Sequence, residues 1–258
     1  MRFPSSGPFL EFNFYWGDLS EVEALARLAE ALLALGATFV KGGGLADVGE
    51  AQDGAMDGAS GRPHEIAIAS MEDLEQYLTE PHTQVERLYM EGATNTTRGV
   101  AEIITYTSVF DEARRHDHRP LAIWTEGVWT EAWQRDTREG RQRARAIGRR
   151  AKDRFCALVA RTQPSYAAIT VEDSLRTPYE LRRAPYGHAF HDFYVSGSYI
   201  GPAALAALAD LFAGAYVEPI ADGLYVSCWE FLNPRGIGMT TELEHKKSAV
   251  ARSIAARR

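Results

Sequence analysis

Four side chains able to exchange protons lie close together in the sequence: Glu172 and Asp173 at the end of an apolar run, and His188 and His191 in the polar loop that follows. Carboxylate and imidazole can share proton transfer near neutral pH, so these four form the candidate catalytic set of a small-molecule enzyme. The two histidines are three apart, and His116-Asp117-His118 is a second tight group. Neither has the spacing of a zinc motif, and both sit in polar stretches where surface histidine is common, so no metal is expected.

Nucleophiles are poorly supported. Ser198 lacks the Gly-x-Ser-x-Gly elbow, and Cys228 lies in an apolar run where cysteine behaves as a small hydrophobe. Cys156 lies on the packing side of a helix. Gly42-Gly43-Gly44 follows a strand but has neither dinucleotide-type spacing nor a Gly-Lys-Ser/Thr ending, so no cofactor is expected. Ser196-Gly197-Ser198 followed by Glu242-Leu243-Glu244 faintly resembles the ADP-ribosyltransferase pattern, which would give one glutamate the ribose of NAD. The arginine or histidine that pattern needs on an earlier strand is missing, since Arg182 and Arg183 fall in an apparent loop. Two glutamates opening a closing helix are also what the helix dipole favours.

The elements that would hold these groups read as α+β. Phe9 to Trp16 has the content of a buried strand, and Ser20 with Glu23 makes a capping box for a helix that Gly36 closes. Ala37 to Val40 resumes as a strand. Lys41 to Pro63, with seven glycines and few large side chains, reads as a mobile loop that could act as a lid over a pocket. His64 to Ala69 is a short strand, Ser70 caps a short helix, and Val85 to Ala93 with Gly99 to Val109 forms an antiparallel hairpin. Leu121 to Thr130 is another strand.

Residues 137 to 161 make the longest helix, with Ala144, Ile147, Ala151, Phe155 and Leu158 on one side. Arg138, Arg141, Arg145, Arg149 and Lys152 form a basic stripe on another, which reads as a solvated face. Phe193 to Ile200, a helix opened by Pro202, and a strand at Tyr216 repeat the opening in outline, suggesting two similar β-α-β layers. Asp222-Gly223 turns into Leu224 to Phe231, and the tail from Glu242 closes as a helix. The whole, residues 1 to 258, is expected to be one domain with a mixed, mostly antiparallel sheet and helices packed on it.

At 258 residues, 45% hydrophobic and 24% charged, the chain can bury a core without a crosslink. Two cysteines and the lack of a secretory signal or spanning segment point to the cytoplasm and to no membrane partner. The net charge of −7 is asymmetric: residues 1 to 113 hold 19 acidic against 6 basic side chains. That pattern disfavours nucleic acid as a partner and permits an acidic half that meets a basic protein.

Phe14-Tyr15-Trp16-Gly17 before an Ala/Leu/Glu helix, Pro164-Ser165-Tyr166-Ala167-Ala168-Ile169, Phe193 to Ile200, and Asp222-Gly223-Leu224-Tyr225-Val226 with Glu230-Phe231 together resemble the layout of the immunity protein 52 family. The resemblance covers about half the chain as a succession of elements. The glycine-rich insertion at 41 to 63 and the strands from 85 to 130 have no counterpart in it. It implies a bacterial α+β protein that binds a cognate toxin and occludes it without turnover. Interface candidates are then the aromatic Tyr15 and Trp16 and the first-half carboxylates Asp47, Glu50, Asp53 and Asp57, because aromatic anchors dominate binding while rim charges steer.

Overall fold

The computed structural model describes residues 10–40, 44–50, 64–80, 83–92, 101–107, 109–125, 137–171, 173–185, 190, 192–229, 232–233 and 241–257. The first half runs β1 (Leu10–Tyr15), α1 (Glu21–Ala34), β2 (Thr38–Phe39), β3 (Gly44–Glu50), β4 (His64–Ile68), α2 (Met71–Thr79), β5 (Thr83–Glu91), β6 (Ala101–Tyr106), α3 (Asp111–Arg114) and β7 (Leu121–Trp124). The second half follows with α4 (Arg138–Thr162), β8 (Tyr166–Val171), α5 (Pro178–Arg183), β9 (Asp192–Ser196), α6 (Gly197–Ile200), α7 (Pro202–Leu211), β10 (Tyr216–Ile220), β11 (Gly223–Ser227) and α8 (Thr241–Ala255).

All eleven described strands join one sheet in the order β10-β11-β9-β8-β1-β7-β6-β5-β3-β4, with β2 on β5. Each described pairing is antiparallel. The α+β class with helices packed on a sheet is therefore what the chain adopts. The two β-α-β units cross over strands lying between their ends: β7, β6 and β5 separate β1 from β2, and β11 separates β9 from β10. Chain-distant strands thus become neighbours, which no hairpin could achieve.

Alternation along β1 sorts side chains onto two faces. Phe12 and Phe14 pack against Phe155 of α4, at ring separations of 5.8 and 5.7 Å, in a core shared with Leu25, Leu28 and Leu32 of α1. On the opposite face Tyr15, Tyr166 and Phe193 meet Leu208 of α7, Phe212 just beyond it and Ile254 of α8. Helix α1 starts where the Ser20–Glu23 capping box forms, and the chain leaves it through Gly36 at φ 92°.

Three readings change. Gly44–Glu50 is strand β3, held between β4 and β5 with a register shift at Asp47/Val48. Backbone pairing on both sides supplies what its glycine- and acid-rich side chains do not. Residues 51 to 63 lie outside the described residues. Extended structure stops at Ser196, because Ser196 Oγ accepts from the Tyr199 N–H at 3.3 Å and caps α6. Lys152 leaves the basic stripe: it is buried, its Nζ 2.6 Å from Glu218 and over the Tyr216 and Tyr225 rings.

Candidate functional site: a polar cleft at one end of the sheet

Antiparallel register brings four chain segments to the same end of the sheet. Tyr15 closes β1 opposite Tyr166, which opens β8 opposite Val195; Ser196, the last residue of β9, stands opposite Gly223. Beside them the segment before β7 arrives as His116, Asp117 and His118. It is tied down by Arg119, whose backbone N–H and guanidinium both bond Glu21 of α1 while the guanidinium lies 4.1 Å from the Tyr106 ring centre. Between these ends opens a cleft of about 960 Å³, bounded also by α5, α6 and residue 257 beyond α8.

One wall is a hydrogen-bonded group around Asp222, in the turn from β10 to β11. Its carboxylate accepts from Tyr194 Oη at 2.7 Å, from Ser196 Oγ at 2.7 Å and from the Ser198 N–H at 3.0 Å. Ser196 and Ser198 hydroxyl oxygens are 2.7 Å apart. Partial burial alone would raise this carboxyl, but the bonds from Tyr194, Ser196 and Ser198 outweigh it and hold the group well below the usual carboxylate range. Gly197 is needed here: a Cβ would lie 2.6 Å from the Asp222 carbonyl oxygen that accepts its N–H.

The rest of the cleft and its support are aromatic and cationic. Tyr15 stacks on Tyr166 at 4.8 Å, and Tyr166 meets Tyr199 at 6.0 Å. Burial first, and then the Asp117 carboxylate, raises the Tyr15 hydroxyl above its ordinary range and pushes Tyr199 up to about 12, so both remain proton donors. Asp117 Oδ2 accepts the Tyr179 N–H at 2.6 Å, and the His116 ring stacks on Tyr179 at 4.5 Å. Arg27, Arg182 and Arg257 reach the same cavity.

The residues read from the sequence divide around this cleft. Asp173 is placed just past β8, where its carbonyl accepts from Thr170 Oγ1 at 2.6 Å, and it does not line the cleft; Glu172, His188 and His191 lie outside the described residues. Tyr15 contributes an edge to the cleft but is 4% exposed, and Trp16, with its indole N–H on the Thr162 carbonyl at 3.0 Å, is core and not a surface anchor. Asp47 and Glu50 lie on β3, while Asp53 and Asp57 are outside the described residues. Of the Ser-x-Ser and Glu-x-Glu pair, the serines meet Asp222, whereas Glu242 pairs with Lys246 one turn along α8 at 2.6 Å. Arg182 and Arg183 belong to helix α5.

Among the described residues no group of three or more His, Cys, Asp or Glu side chains is placed to hold a metal, and no helix is long and apolar enough to cross a membrane. Among the described residues Cys156 and Cys228 form no disulfide. The sequence reading missed the cleft itself. The Asp222-Gly223 turn was legible, but its partnership with Ser196 depends on β9 and β11 being neighbours.

The sequence matches no protein-family model and no curated protein. Among solved structures the chain is similar to the Pseudomonas aeruginosa T6SS protein PA0821, with 12% identity and a TM-score of 0.43, over 91% of this chain and 74% of that one. At that level the likeness carries no function across.

Proposed function

We propose that the chain is an immunity-type binding protein that neutralises a cognate toxin by occlusion, docking it on the α3–α5 face beside the cleft. The carrying observation is Phe110. It is 69% exposed, whereas Phe12, Phe14, Phe155, Phe190, Phe193 and Phe212 are at 2% or less in the two cores. Its place is fixed: the backbone N–H bonds Glu180 Oε1 at 3.3 Å, the preceding Val109 is buried, and Arg176 stands 5.9 Å from the ring centre. An aromatic ring with an arginine beside it, held on a rigid support, is the residue combination that dominates binding energy in protein interfaces.

The cleft's chemistry also favours recognition over turnover. A carboxylate held as far below its usual range as Asp222 is a weak base, so it orients Ser196 and Ser198 instead of activating them. The acidic first half and the element order shared with the immunity protein 52 layout support the same reading. Co-expression with the product of the adjacent gene tests it: the wild-type chain should relieve that product's toxicity. Phe110→Ala should weaken the complex by about 30-fold, the loss of one hot-spot anchor, with no change in unfolding midpoint. A neighbour that is not toxic, or toxicity that is not relieved, overturns the function; a Phe110→Ala variant that binds like wild type overturns the docking face.

A further inference from the structure

We propose that the sheet-end cleft binds a small polyhydroxylated molecule carrying a phosphate group, with Arg182 and Arg257 receiving the phosphate and Asp222 and Ser198 receiving hydroxyls. This site shares helix α5 with the docking face but uses other side chains, Arg182 in place of Phe110 and Arg176, so its ligand binding is measured without a toxin.

The cations point to the phosphate. Arg119, Arg176 and Arg183 each pair with a glutamate. Among the described residues no carboxylate lies within ion-pair distance of Arg182 or Arg257, although both line the cleft. Arg182 Nη1 donates to the backbone carbonyls of Arg257 and Ala255, at 3.2 and 3.5 Å, which fixes the group but leaves other guanidinium N–H donors for a ligand. Tyr199 adds a protonated hydroxyl near both arginines, with the Asp117 carboxylate also beside it. One carboxylate is satisfied by a single arginine fork, whereas a phosphate dianion offers acceptors to two separate guanidinium groups.

The acceptors point to the hydroxyls. A carboxylate has about four lone-pair sites; the Ser196 hydroxyl and Ser198 N–H take Oδ2 of Asp222 and Tyr194 takes one site of Oδ1, so a site on Oδ1 is left for a ligand hydroxyl. The Ser198 hydroxyl shares a 2.7 Å contact with Ser196 in which either can donate and also bonds the Asp222 carboxylate; wherever its proton goes, its oxygen keeps a lone pair to accept. Asp222 repels a bare anion placed beside it, so a hydroxyl-bearing body between it and the phosphate improves the fit. The volume, about 960 Å³, falls in the range of small-ligand clefts.

Titration calorimetry on the full chain decides it, with glucose 6-phosphate, inorganic phosphate and glucose as probes. Glucose 6-phosphate should saturate one site and bind about tenfold tighter than inorganic phosphate, with glucose alone far weaker. Arg182→Ala with Arg257→Ala should abolish both phosphate signals, and the exposed Arg149→Ala should change neither. If the double variant does not fold, Arg182→Lys alone carries the test, since it keeps the charge and loses the fork: it should weaken binding several-fold. No saturable binding of glucose 6-phosphate, or an equal loss in Arg149→Ala, overturns the site. Glucose 6-phosphate binding no tighter than inorganic phosphate overturns the hydroxyl subsite. None of these results bears on toxin relief, which is read through Phe110.

Discussion

Ser196 Oγ donates to Asp222 Oδ2 at 2.7 Å, joining the end of β9 to the turn that opens β11, 26 residues away. With Tyr194 and the Ser198 N–H on the same carboxylate, this contact fixes one wall of the cleft. Asp222→Ala should destabilise the chain by about 1 to 2 kcal/mol, because it strands the donors as well as removing the charge-assisted bonds. The folded-state pKa of Asp222 is depressed, so its contribution is present above the ordinary carboxylate range and is lost as pH falls through the folded value. Urea midpoints of wild type and Asp222→Asn at pH 7 and pH 3 should therefore differ more at pH 7. An equal gap at both would remove the charged hydrogen-bond account.

Asp192 titrates in the opposite sense. It is buried between β9 and β11, accepts from Tyr225 Oη and from the Trp229 N–H at 3.2 Å, and burial pushes its carboxyl up to about 7 against these bonds. A raised acid binds its proton more tightly in the folded chain. Its stabilising contribution is therefore complete below the unfolded value near 4 and is lost as pH rises through about 7. One such proton gives a slope of at most ~1.4 kcal/mol per pH unit over that window. Asp192→Asn keeps the shape and removes the titration, so the unfolding free energy of the variant should fall less steeply between pH 5 and pH 7 than that of wild type. Parallel curves would mean that Asp192 titrates normally.

Sequence alone located what is decided locally. The Ser20–Glu23 box, the Gly36 stop, the Pro202 helix start and the turn before Gly223 each depend on residues a few positions apart, and each forms as read. What it missed depends on neighbours chosen by the whole sheet. Gly44–Glu50 looks like a loop because its side chains offer little to bury, yet β4 and β5 satisfy its backbone. Lys152 looks like one more base on a solvated stripe until β10 brings Glu218 against it. The Ser-x-Ser motif was visible, but the acid it meets is Asp222 and not Glu242, because β9 lies beside β11 while Glu242 pairs with Lys246 on α8.

Gly201 links the backbone to the cleft's cations. It sits between α6 and α7 at φ 88° and ψ 151°, a region glycine enters freely and L side chains do not. A Cβ there would also collide with Arg257 Nη2. Gly201→Ala should then destabilise the chain by about 2 kcal/mol, nearly all of it backbone strain, because the Arg257 guanidinium ends a flexible, exposed side chain that can swing aside. A double-mutant cycle checks the division. In an Arg257→Ala background the strain remains, so the cost of Gly201→Ala should stay nearly the same. A cost that falls by more than about half in that background, read from urea midpoints, would show that the loss comes from the Arg257 contact and not from the backbone.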